Sequence, residues 1–249
     1  MPRKAIGIDI GGTGIKGGLV DTRSGALVSS RLKLETPPGG EPEEISLVVR
    51  AIVAKLSNRS DRPIGICFPA VVEEGVTKSA ANVSSRWIGF PAEAFLSHEL
   101  HTKVHVVNDA DAAGYAETKF GAGRGKRGLV IMTTLGTGIG TALIHNGILV
   151  PNAELGHLEI DGVDYETQAS YAAKERENLS FSQWAERLQR YYSELERLFS
   201  PKLFIVGGGI SKSHSEFLPL LKLRTPIVPA KLKNSAGIIG AAALVNADY

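Results

Sequence analysis

The chain has 249 residues, of which 43% are hydrophobic and 22% are charged, with a formal net charge of +2. This composition allows one large domain or two small ones and excludes a disordered chain, and a charge of +2 is too small to indicate a nucleic-acid partner by itself. The single cysteine, Cys67, excludes an intrachain disulfide and a cysteine-rich zinc or iron–sulfur site.

The first half of the chain predicts an alternation of strands and helices. Apolar runs bounded by glycine, proline or polar clusters indicate strands, and apolar residues spaced three and four apart indicate helices. Such alternation is typical of an α/β fold. In chain order the predicted elements are a strand at residues 4–10, a glycine-rich turn at 11–18, strands at 19–21 and 26–34, a helix at 43–56, a strand at 63–72, a helix at 91–100, a strand at 104–107 and a helix at 111–118.

The second half of the chain repeats this opening. A strand at residues 129–135, a glycine turn at 136–140 and a returning strand at 141–144 form a second strand, glycine turn, strand unit. A repeat of this kind indicates two related lobes around a central cleft, each supplying one glycine loop. Ligands of α/β sheets bind at such places.

Three further elements complete the second half. Ser180 and Gln183 fit a capping box ahead of an amphipathic helix at residues 181–198. We expect its apolar stripe to pack on its own domain or on a second subunit rather than to hold a cofactor. A strand at 202–206 leads to a glycine triplet, and a helix of small residues at 236–245 closes the chain.

The N-terminal residues argue against export and membrane insertion. Met1-Pro2-Arg3-Lys4 leads directly into an Asp-containing apolar segment, which lacks the uninterrupted apolar stretch of a signal peptide. No apolar run reaches the roughly 18 residues that a membrane helix needs. We therefore expect a cytoplasmic protein with no membrane partner and no nucleic-acid partner.

Glycine is over-represented in this chain, and the excess is local. There are 28 glycines, against roughly 17 for an average composition. Fifteen of them lie in four clusters, at residues 11–18, 121–128, 136–140 and 207–209. Glycine tolerates positive φ angles and lets backbone N–H groups approach a ligand, so these loops can cradle phosphoryl oxygens. Taken singly, each cluster fits an ordinary hairpin as well.

Polar residues around the first glycine cluster indicate phosphate chemistry. Asp9 supplies a carboxylate suited to Mg²⁺ through water, and Thr13 and Lys16 supply a hydroxyl and a cation at the same loop. A metal ion and donors of this kind neutralise charge on a transferred phosphoryl group. The spacing matches neither a Walker A loop nor the Gly-x-Gly-x-x-Gly turn of dinucleotide-binding folds.

Two polar motifs are candidates for chemistry on an acceptor molecule. Asn108-Asp109 follows a predicted strand, where an ionised Asp109 can accept a hydroxyl proton or can instead cap the next helix. Glu154, His157 and Glu159 lie within six residues after the second hairpin. Carboxylates and a neutral imidazole can hydrogen-bond adjacent sugar hydroxyls, and the same residues also fit a solvated acidic loop or a metal site.

Basic residues are concentrated in two segments that lack acids. No Asp or Glu occurs between Thr118 and Ala153 or between Phe217 and Ala247. Such segments suggest an anionic ligand, and the alternative is that surface loops carry solvated cations by chance. The cations of the two segments are Lys119, Arg124, Lys126, Arg127, Lys222, Arg224, Lys231 and Lys233.

Five motifs occur together in a fixed order, and as a set they resemble the ROK family of sugar kinases. That family belongs to the actin-like ATPase and hexokinase superfamily, and the resemblance covers the whole chain. Within the family, residues 152–157, 198–209 and 223–229 resemble the polyphosphate glucokinases and glucomannokinases. The five motifs are Asp9-Ile-Gly-Gly-Thr-Gly-Ile-Lys16, Asn108-Asp109, Leu135-Gly-Thr-Gly-Ile-Gly-Thr141, Glu154-Leu-Gly-His157 and Val206-Gly-Gly-Gly-Ile-Ser211.

The resemblance implies a role for each candidate residue. Asp109 would be the base that deprotonates the 6-hydroxyl of glucose. The residues that would hold the sugar are Asn82, Asn108, Glu154, His157 and Glu159. The first phosphate loop would comprise Asp9, Gly11, Gly12, Thr13 and Lys16, and the second Thr137, Gly138 and Gly140. The triplet Gly207, Gly208 and Gly209 matches the region that flanks a nucleotide in ATP-using relatives.

The resemblance also implies the cofactor, the partners and the assembly. Mg²⁺ would assist phosphoryl transfer near Asp9, glucose and also mannose would be acceptors, and the protein would be a homodimer. Many ROK kinases carry a cysteine-rich zinc motif after the Glu-x-Gly-His element, but residues 161–179 contain no cysteine. We therefore expect His157 to contact sugar and expect no zinc site.

These inferences lead to one principal hypothesis about function. The chain is expected to transfer a phosphoryl group from inorganic polyphosphate, with ATP as a further donor, to the 6-hydroxyl of glucose. Arg124, Lys126 and Arg127 are the first candidates for a polyphosphate track. The expected fold is of the duplicated actin-like ATPase and hexokinase type, with a small lobe at residues 1–108 joined by the helix at 236–247, and a large lobe at 109–235.

Three alternatives remain at the level of sequence. A strictly ATP-dependent ROK hexokinase would carry the same motifs. An actin-like ATPase that serves as an assembly module would not need Glu154 and His157 beside a catalytic Asp109. A sugar-sensing ROK repressor would need an N-terminal helix-turn-helix, for which the segment before Lys4 leaves no room.

Overall fold

The protein is described by a computed structural model that covers residues 4–57, 62–245 and 247. The described residues leave out Met1 to Arg3, on which the expectation of no export rests. They also leave out Asn246, which lies within the predicted span 236–247. The chain divides into two compact units, Met1–Ala116 with Ser235–Tyr249 and Glu117–Asn234. None of the helices in the described ranges is long and apolar enough to cross a membrane.

The elements of both units follow the predicted alternation of strands and helices. The first unit contains β1 (Lys4–Gly11), β2 (Gly14–Asp21), β3 (Ala26–Leu27), β4 (Leu32–Leu34), α1 (Pro42–Leu56), β5 (Ile64–Phe68), β6 (Val72–Glu73), β7 (Val76–Thr77), α2 (Ala92–Glu99) and β8 (Val104–Asn108), and then α3 (Asp109–Phe120) begins. The second unit contains β9 (Leu129–Leu135), β10 (Ile139–His145), β11 (Ile148–Val150), β12 (Glu159–Ile160), β13 (Val163–Asp164), α4 (Glu166–Ala169), α5 (Tyr171–Arg176), α6 (Phe181–Phe199), β14 (Leu203–Gly207), α7 (His214–Phe217) and β15 (Ile227–Pro229). The last helix, α8 (Ala236–Leu244), belongs to the first unit again.

The main sheets of the two units share one topology. The strand order is β3-β2-β1-β5-β8 in the first unit, where β4 also pairs with β2, and β11-β10-β9-β14-β15 in the second. In each sheet three strands form an antiparallel meander. A later strand pairs in parallel with the first strand of the meander, and a further strand pairs in parallel with that one. This correspondence confirms the predicted duplication.

Both glycine hairpins are tighter than the sequence predicts. β1 and β2 pair as far as Gly11 opposite Gly14, so the predicted turn at 11–18 is wrong and only two residues connect the strands. Likewise, Leu135 pairs with Ile139, and β10 already begins inside the predicted turn at 136–140. The remaining glycines of the predicted turns are strand residues. They are glycine because neighbouring side chains occupy the space that a Cβ atom would need. At Gly17, for example, the Ile52 side chain lies 2.5 Å from the Cβ position.

The strand predicted at residues 26–34 is also wrong as a single element. It forms β3 and β4, and their pairings with β2 are offset by two residues, from Val20 opposite Leu27 to Gly17 opposite Leu32. Between them, Ser29 Oγ accepts a hydrogen bond from the Leu19 N–H at 2.9 Å. The side chain thus replaces a ladder acceptor, and the strand is interrupted by a bulge.

Helix α8 packs on the first sheet at backbone contact distance. A Cβ atom on Gly7 would lie 1.9 Å from the Ile238 carbonyl oxygen, and one on Gly65 would lie 1.9 Å from that of Ala241. On the helix itself, a Cβ on Gly240 would lie 1.7 Å from the Ala112 carbonyl oxygen of α3. Glycine at these positions is what lets the C-terminal helix join the core of the N-terminal unit.

Helix α6 forms the centre of the second unit's core. The predicted capping box is confirmed, with Ser180 Oγ accepting from Gln183 N–H at 3.2 Å and Gln183 Oε1 accepting from Ser180 N–H at 2.9 Å. Most of the apolar stripe, including Trp184 and Leu188, is buried within this unit, whereas Leu198 near its end is 46% exposed. The stripe therefore packs on its own domain, which was one of the two predicted outcomes.

The observed division of the chain differs from the predicted lobes. The first unit ends at Ala116, within α3, rather than at residue 108, and Ser235 belongs to the first unit rather than to the second. The start of α3 belongs to the first unit because α8 packs against its backbone at Ala112. The two units are similar in length, so small and large do not describe them.

Candidate functional site

The parallel strands of the first sheet bring several polar candidates to one edge. Asp9 on β1 pairs with Cys67 on β5, and Phe68, the next residue, pairs with Asn108 at the end of β8. Asp109 follows as the first residue of α3. Because the carboxyl ends of parallel strands meet at the same edge, Asp9, Cys67 and Asp109 form one group, as an α/β ligand site requires.

The Asp9 carboxylate is held by three neighbours within the first unit. Its Oδ2 lies 2.9 Å from Lys16 Nζ, and its Oδ1 accepts a hydrogen bond from Cys67 Sγ at 3.7 Å. A Cβ on Gly237 would lie 3.3 Å from Asp9 Cγ, so the first turn of α8 lies against the carboxylate. A helix N-terminus favours negative charge there. Lys16 therefore acts first as the partner of Asp9.

Cys67 is a site neighbour that the sequence did not identify as one. Its thiol is fully buried, and burial, followed by the charges of Asp9 and Asp109, raises its pKa well above the usual value. The thiol consequently stays protonated and serves as a hydrogen-bond donor to Asp9. Sequence spacing contains no signal for this contact, because the β1–β5 register creates it.

Asn108, and not Asp109, caps helix α3. Asn108 Oδ1 accepts a hydrogen bond from the Asp111 N–H at 3.0 Å, and its Nδ2 donates to the Ala70 carbonyl oxygen at 3.0 Å. The capping alternative considered for Asp109 therefore belongs to its neighbour. Asp109 is exposed, with Oδ1 accepting from the Ala110 N–H at 2.8 Å. The cap of α3 is therefore the Asn108 side chain, and the Asp109 carboxylate lies beside it at the surface.

The first glycine turn lines a polar groove. Gly12 lies against Asn82, whose Cβ would be 2.7 Å from a Cβ on Gly12, and Asn82 itself adopts a positive φ of 61°. The groove has a volume of about 260 Å³, and Thr36, Gly39 and Gly40 contribute to its walls. The structure thus places Asn82 beside the first candidate phosphate loop.

The second glycine turn lies beside the glycine triplet. Gly207, at the end of β14, pairs with Thr134 on β9. Gly208 has a positive φ of 83°, and a Cβ there would lie 2.2 Å from the Leu135 carbonyl oxygen. None of the described glycines in the hairpin turns at 11–14 and 136–138 has a positive φ. Close approach of neighbouring atoms therefore accounts for the glycines at 12, 14 and 138, whereas a Cβ on Gly136 would meet open space.

The Glu154–His157 segment is fastened to β10. Thr141 Oγ1 donates to the Ala153 carbonyl oxygen and accepts from the Leu155 N–H at 3.0 Å. Gly156 leaves room for the strand, because a Cβ there would lie 2.1 Å from the Ile139 carbonyl oxygen. These contacts explain the glycine of the Glu-x-Gly-His motif and fix the backbone that carries the two candidate side chains, Glu154 and His157, on either side of it.

The charges around this segment form an ordered group. Partial burial raises the pKa of Glu154, the His157 charge opposes that rise and the Glu166 charge adds to it. A hydrogen bond of 2.9 Å between His157 Nδ1 and Asp164 Oδ2 raises the pKa of the imidazole. Glu159 is exposed and pairs with Asp164 only through the β12–β13 backbone ladder.

Glu166 and Asp164 are residues of this group that sequence reasoning missed. Glu166 Oε2 accepts a hydrogen bond from the Ile139 N–H at 2.7 Å, directly after the second glycine turn. A Cβ on Gly138 would lie 2.5 Å from the same oxygen. Glu166 therefore connects the sugar candidates with the phosphate-loop candidates of the second unit. Both acids lie close behind the Glu-x-Gly-His motif, but their spacing matches no general pattern.

We predict that Asp164→Asn lowers the pKa of the His157 imidazole. Asparagine keeps the Oδ1 acceptor for the Glu166 N–H at 3.1 Å but removes the charge next to Nδ1. Since the raised pKa belongs to the folded state, the contact stabilises the fold at low pH and is lost as the pH rises through the pKa of folded His157. The pH titration of the His157 ring protons by NMR measures the change.

Asp161→Asn is the matched control for this titration. It makes the same change on the same hairpin, where Asp161 pairs with Arg190 at 3.1 Å instead. We expect it to shift the His157 titration far less, because the side chain of His157 is 55% exposed and solvent screens distant charges. An equal effect of the two substitutions would contradict the direct His157–Asp164 contact.

The basic candidates separate into different places. Arg124, Lys126 and Arg127 are exposed on the loop between α3 and β9. Arg224, from the second acid-free segment, lies 3.3 Å from Glu196 of α6. A segment that contains no acid in sequence thus has an acidic partner in space. Arg224 therefore does not fit the suggestion that the cations of this segment serve an anionic ligand.

The residues at Asp9 fit a water-bound magnesium ion. In residues 4–57, 62–245 and 247, no group of three or more His, Cys, Asp or Glu side chains is arranged to hold a metal. Mg²⁺ keeps several waters and is usually bound through one or two carboxylates and substrate phosphates. The partly exposed carboxylate of Asp9 beside a phosphate-loop candidate meets that description.

Comparison with known sequences identifies relatives of nearly full length. The ROK family matches residues 5–176. The chain is 46% identical over 247 residues to a polyphosphate glucokinase of Mycobacterium tuberculosis (strain CDC 1551 / Oshkosh), which covers 99% of this chain and 92% of that protein. It is 28% identical over 314 residues to a glucokinase of Streptomyces coelicolor, with 96% of each chain covered.

Solved structures give the same result. The inorganic polyphosphate/ATP-glucomannokinase of Arthrobacter sp. strain KM superposes with a TM-score of 0.92 and 54% identity over 98% of both chains. A ROK family glucokinase of Streptomyces griseus, solved with glucose and AMPPNP, superposes with a TM-score of 0.81 and 29% identity over 97% of this chain and 98% of that one. The duplicated sheet topology, the ordered motifs and these relatives together show that the chain belongs to the ROK family.

Proposed function

We propose that this protein is a kinase that transfers a phosphoryl group from inorganic polyphosphate to the 6-hydroxyl of glucose and forms glucose 6-phosphate. ATP is a second donor and mannose a second acceptor in this proposal. The relatives named as a polyphosphate glucokinase and as a polyphosphate/ATP-glucomannokinase support it, since both align with this chain almost end to end. The observation that carries it is the exposed Asp109 carboxylate at the carboxyl edge of the first sheet.

The proposed base is Asp109. Its carboxylate takes the proton of the glucose 6-hydroxyl while that oxygen forms a bond to the terminal phosphorus, and the bond from phosphorus to the rest of the donor breaks. Asn108 supports this role by capping α3, which leaves the Asp109 side chain at the surface. One amide hydrogen of Asn108 is committed to Ala70, and in this proposal the other is donated to a sugar hydroxyl.

The proposed sugar ligands begin with the Glu154–His157 segment. Glu154 and His157 are exposed side chains on a rigid turn, and each can hydrogen-bond a hydroxyl. Asn82 and Glu159 remain weaker candidates. Glu159 belongs to the neighbouring hairpin, and Asn82 lies on the groove next to Gly12. The group formed by His157, Asp164 and Glu166 supports a sugar-binding role for the Glu154–His157 segment.

The proposed phosphate contacts come from the two hairpins. The first set comprises Asp9, Gly11, Gly12, Thr13 and Lys16, and the second comprises Thr137, Gly138 and Gly140, with Gly207, Gly208 and Gly209 next to the second set. Mg²⁺ would neutralise charge on the transferred group, held by water and by Asp9. The Lys16–Asp9 pair keeps the carboxylate oriented at the loop.

The proposed polyphosphate track starts with Arg124, Lys126 and Arg127. These exposed cations share one short loop, so successive phosphates of a chain can meet successive charges. We also propose a cytoplasmic homodimer, on the family resemblance alone. The apolar stripe of α6 adds little support to the dimer, because most of it, from Trp184 to Leu195, is buried within its own unit.

The donor assay tests the proposed function. Wild-type protein is incubated with glucose and long-chain polyphosphate or ATP, with and without Mg²⁺, and glucose 6-phosphate is measured enzymatically. We expect product from both donors, more weakly with mannose as acceptor, and none without Mg²⁺. The polyphosphate control is the same preparation hydrolysed to orthophosphate, which yields no product.

Each alternative gives a distinct pattern in this assay. Product from ATP alone identifies a strictly ATP-dependent ROK hexokinase and overturns the polyphosphate proposal. Hydrolysis of ATP that is independent of glucose, without any sugar phosphate, identifies an ATPase module and overturns the kinase proposal. The glycine triplet at 207–209 fits a nucleotide donor as well, so ATP is included as a donor in every arm.

A further inference from the structure

Glu117 is a fully buried carboxylate near the end of α3. Its Oε2 accepts a hydrogen bond from the Ala122 N–H at 2.7 Å, and its Oε1 accepts one from the Leu232 N–H at 2.6 Å. A Cβ on Gly121 would lie 2.0 Å from Oε2, so glycine makes room for the carboxylate. A buried carboxylate is tolerated only when its oxygens are satisfied, and here two distant backbone segments satisfy them.

The two segments bound by Glu117 are the two acid-free basic segments of the sequence. Ala122 directly precedes the loop that carries Arg124, Lys126 and Arg127, and Leu232 lies between Lys231 and Lys233. All five cations are exposed. Segments separated by more than a hundred residues in sequence are therefore adjacent in space, with one buried acid between them.

Lys202 extends this basic surface beyond Arg127. A Cβ on Gly128 would lie 2.7 Å from Lys202 Cγ, so the aliphatic part of the lysine lies along the end of the first loop. The Lys202 N–H donates to the Leu129 carbonyl oxygen at 2.7 Å, which fixes its backbone there. Lys202 is exposed and adds a further charge on the same side of the loop.

The remaining cations of the second segment lie elsewhere. Arg224 pairs with Glu196, and the backbone N–H of Lys222 donates to Gln189 Oε1 at 2.6 Å. Both acceptors belong to α6. The second acid-free segment is thus divided, with one pair of cations fastened to α6 and the other pair, Lys231 and Lys233, fastened through Glu117 to the first loop.

We propose that Glu117 positions the loops at 121–128 and 230–233 as one binding surface for the polyphosphate chain. The inference rests on the proposed function and names a second segment of the donor site. Polyphosphate is a flexible chain with a charge on each unit, and it is bound by repeated cations rather than by shape. Five cations on two joined loops, with Lys202 beside them, supply that repeat.

The composition of the loops favours polyphosphate over single-stranded nucleic acid. Proteins that bind single strands combine cations with aromatic side chains on which the bases stack. Residues 121–128 and 230–233 contain no aromatic residue. Charge without stacking surfaces suits an inorganic polyanion, and an oligonucleotide of equal charge serves as the competitor in the test.

The test compares two double variants of the same segment. Lys231→Gln with Lys233→Gln removes the pair fastened by Glu117, and Lys222→Gln with Arg224→Gln makes the same charge change on the α6 side. In the first variant we expect the KM for long-chain polyphosphate to rise by a factor about ten times larger than the factor by which the KM for ATP rises. The reason is that two exposed ion contacts with polyphosphate are lost. The control variant is expected to retain wild-type KM values for both donors.

Salt dependence gives a readout that a purely structural change would not alter. For a linear polyanion, each lost cation contact reduces the slope of log affinity against log salt by roughly 0.7. The Lys231/Lys233 variant, which loses two contacts, should therefore show a slope shallower by about 1.4 for labelled long-chain polyphosphate. An unchanged slope, or equal KM values in the two double variants, would overturn the proposal.

Glu117→Gln tests the positioning role itself. The amide keeps one acceptor oxygen but places an N–H₂ group against the second backbone N–H, so one loop is released. We expect a lower midpoint of thermal unfolding together with weaker binding of long-chain polyphosphate and a shallower salt slope. A lower midpoint with unchanged polyphosphate binding shows that Glu117 only stabilises the fold, and it overturns the positioning role.

Failure of this inference is distinguishable from failure of the proposed function. If wild-type protein phosphorylates glucose from polyphosphate and the Lys231/Lys233 variant matches its control, the function stands and this surface is wrong. If polyphosphate binds but is not used as a donor, and the variant weakens binding, the surface stands and the donor proposal is wrong. If the oligonucleotide displaces polyphosphate at equal charge concentration, the preference for an inorganic chain is overturned.

Discussion

Asp109→Asn is expected to lower the rate of glucose phosphorylation by about 10² to 10⁴, with polyphosphate and with ATP alike. The substitution removes the proton acceptor but keeps Oδ1, which accepts the Ala110 N–H at 2.8 Å. Because Asn108 provides the helix cap, the start of α3 should remain intact. The measurement is kcat with each donor, together with the midpoint of thermal unfolding and the affinity for glucose.

The equal effect on both donors is the informative part of this prediction. A base acts on the acceptor hydroxyl, so its loss is independent of what carries the phosphoryl group. Asp161→Asn, the same change at an exposed hairpin position that pairs with Arg190, should retain wild-type activity. An Asp109→Asn protein that keeps more than about a tenth of its activity would show that another group accepts the proton.

Sequence patterns predict the regular part of this fold well. Apolar periodicity located the long strands and helices of both units, and the repeated glycine hairpin predicted the duplication that the two sheets confirm. The short elements were not predicted, among them β7, β11, β12, β13, β15, α4, α5 and α7. These features depend on residues close together in the chain. The hairpin turns were predicted too long, because Gly17 and Gly18 are small for packing reasons that only the tertiary structure shows.

The candidate site was predictable where its residues belong to motifs. Asp9, Asp109, Glu154 and His157 all lie at strand ends or turns that the sequence identifies. Their roles in catalysis and binding remain predictions. The family comparison shows the ancestry of the motifs, and the assays on glucose and on the variants test the chemistry.

Residues that act through long-range contacts were missed. Glu117 and Glu166 occupy ordinary helical positions, and nothing in their spacing indicates that each binds backbone N–H groups of another segment. Cys67 is similar, since its contact with Asp9 follows from the register of β1 and β5. Acid-free segments gave a partial signal, but Arg224 pairs with Glu196 of α6.

Gly240→Ala is expected to destabilise the first unit by about 3 kcal/mol, the upper end of the usual range for an overpacked methyl group. Helix propensity alone predicts the opposite, a gain of up to about 1 kcal/mol for replacing glycine inside a helix. Packing dominates because the new Cβ would lie 1.7 Å from the Ala112 carbonyl oxygen, which is backbone and cannot rotate away. The helix α8 would have to move off α3.

Two variants separate these contributions. Gly136→Ala places a methyl group in open space and should leave stability nearly unchanged, and Ala243→Gly should cost about 1 kcal/mol through helix propensity. For Gly240→Ala we expect a fall in the thermal midpoint of roughly 6–12 °C. A midpoint at or above that of the wild type would show that α8 does not press against α3 as closely as the structure has it.

Loss of α8 packing should also reach the candidate phosphate site. Gly237, in the first turn of the same helix, lies against both Asp9 and Cys67. A shift of α8 removes the helix N-terminus from the Asp9 carboxylate and opens the buried thiol to solvent. Gly240→Ala should therefore make Cys67 react with thiol reagents below the unfolding temperature, whereas Ala243→Gly, which removes a methyl group without a clash, should leave Cys67 protected.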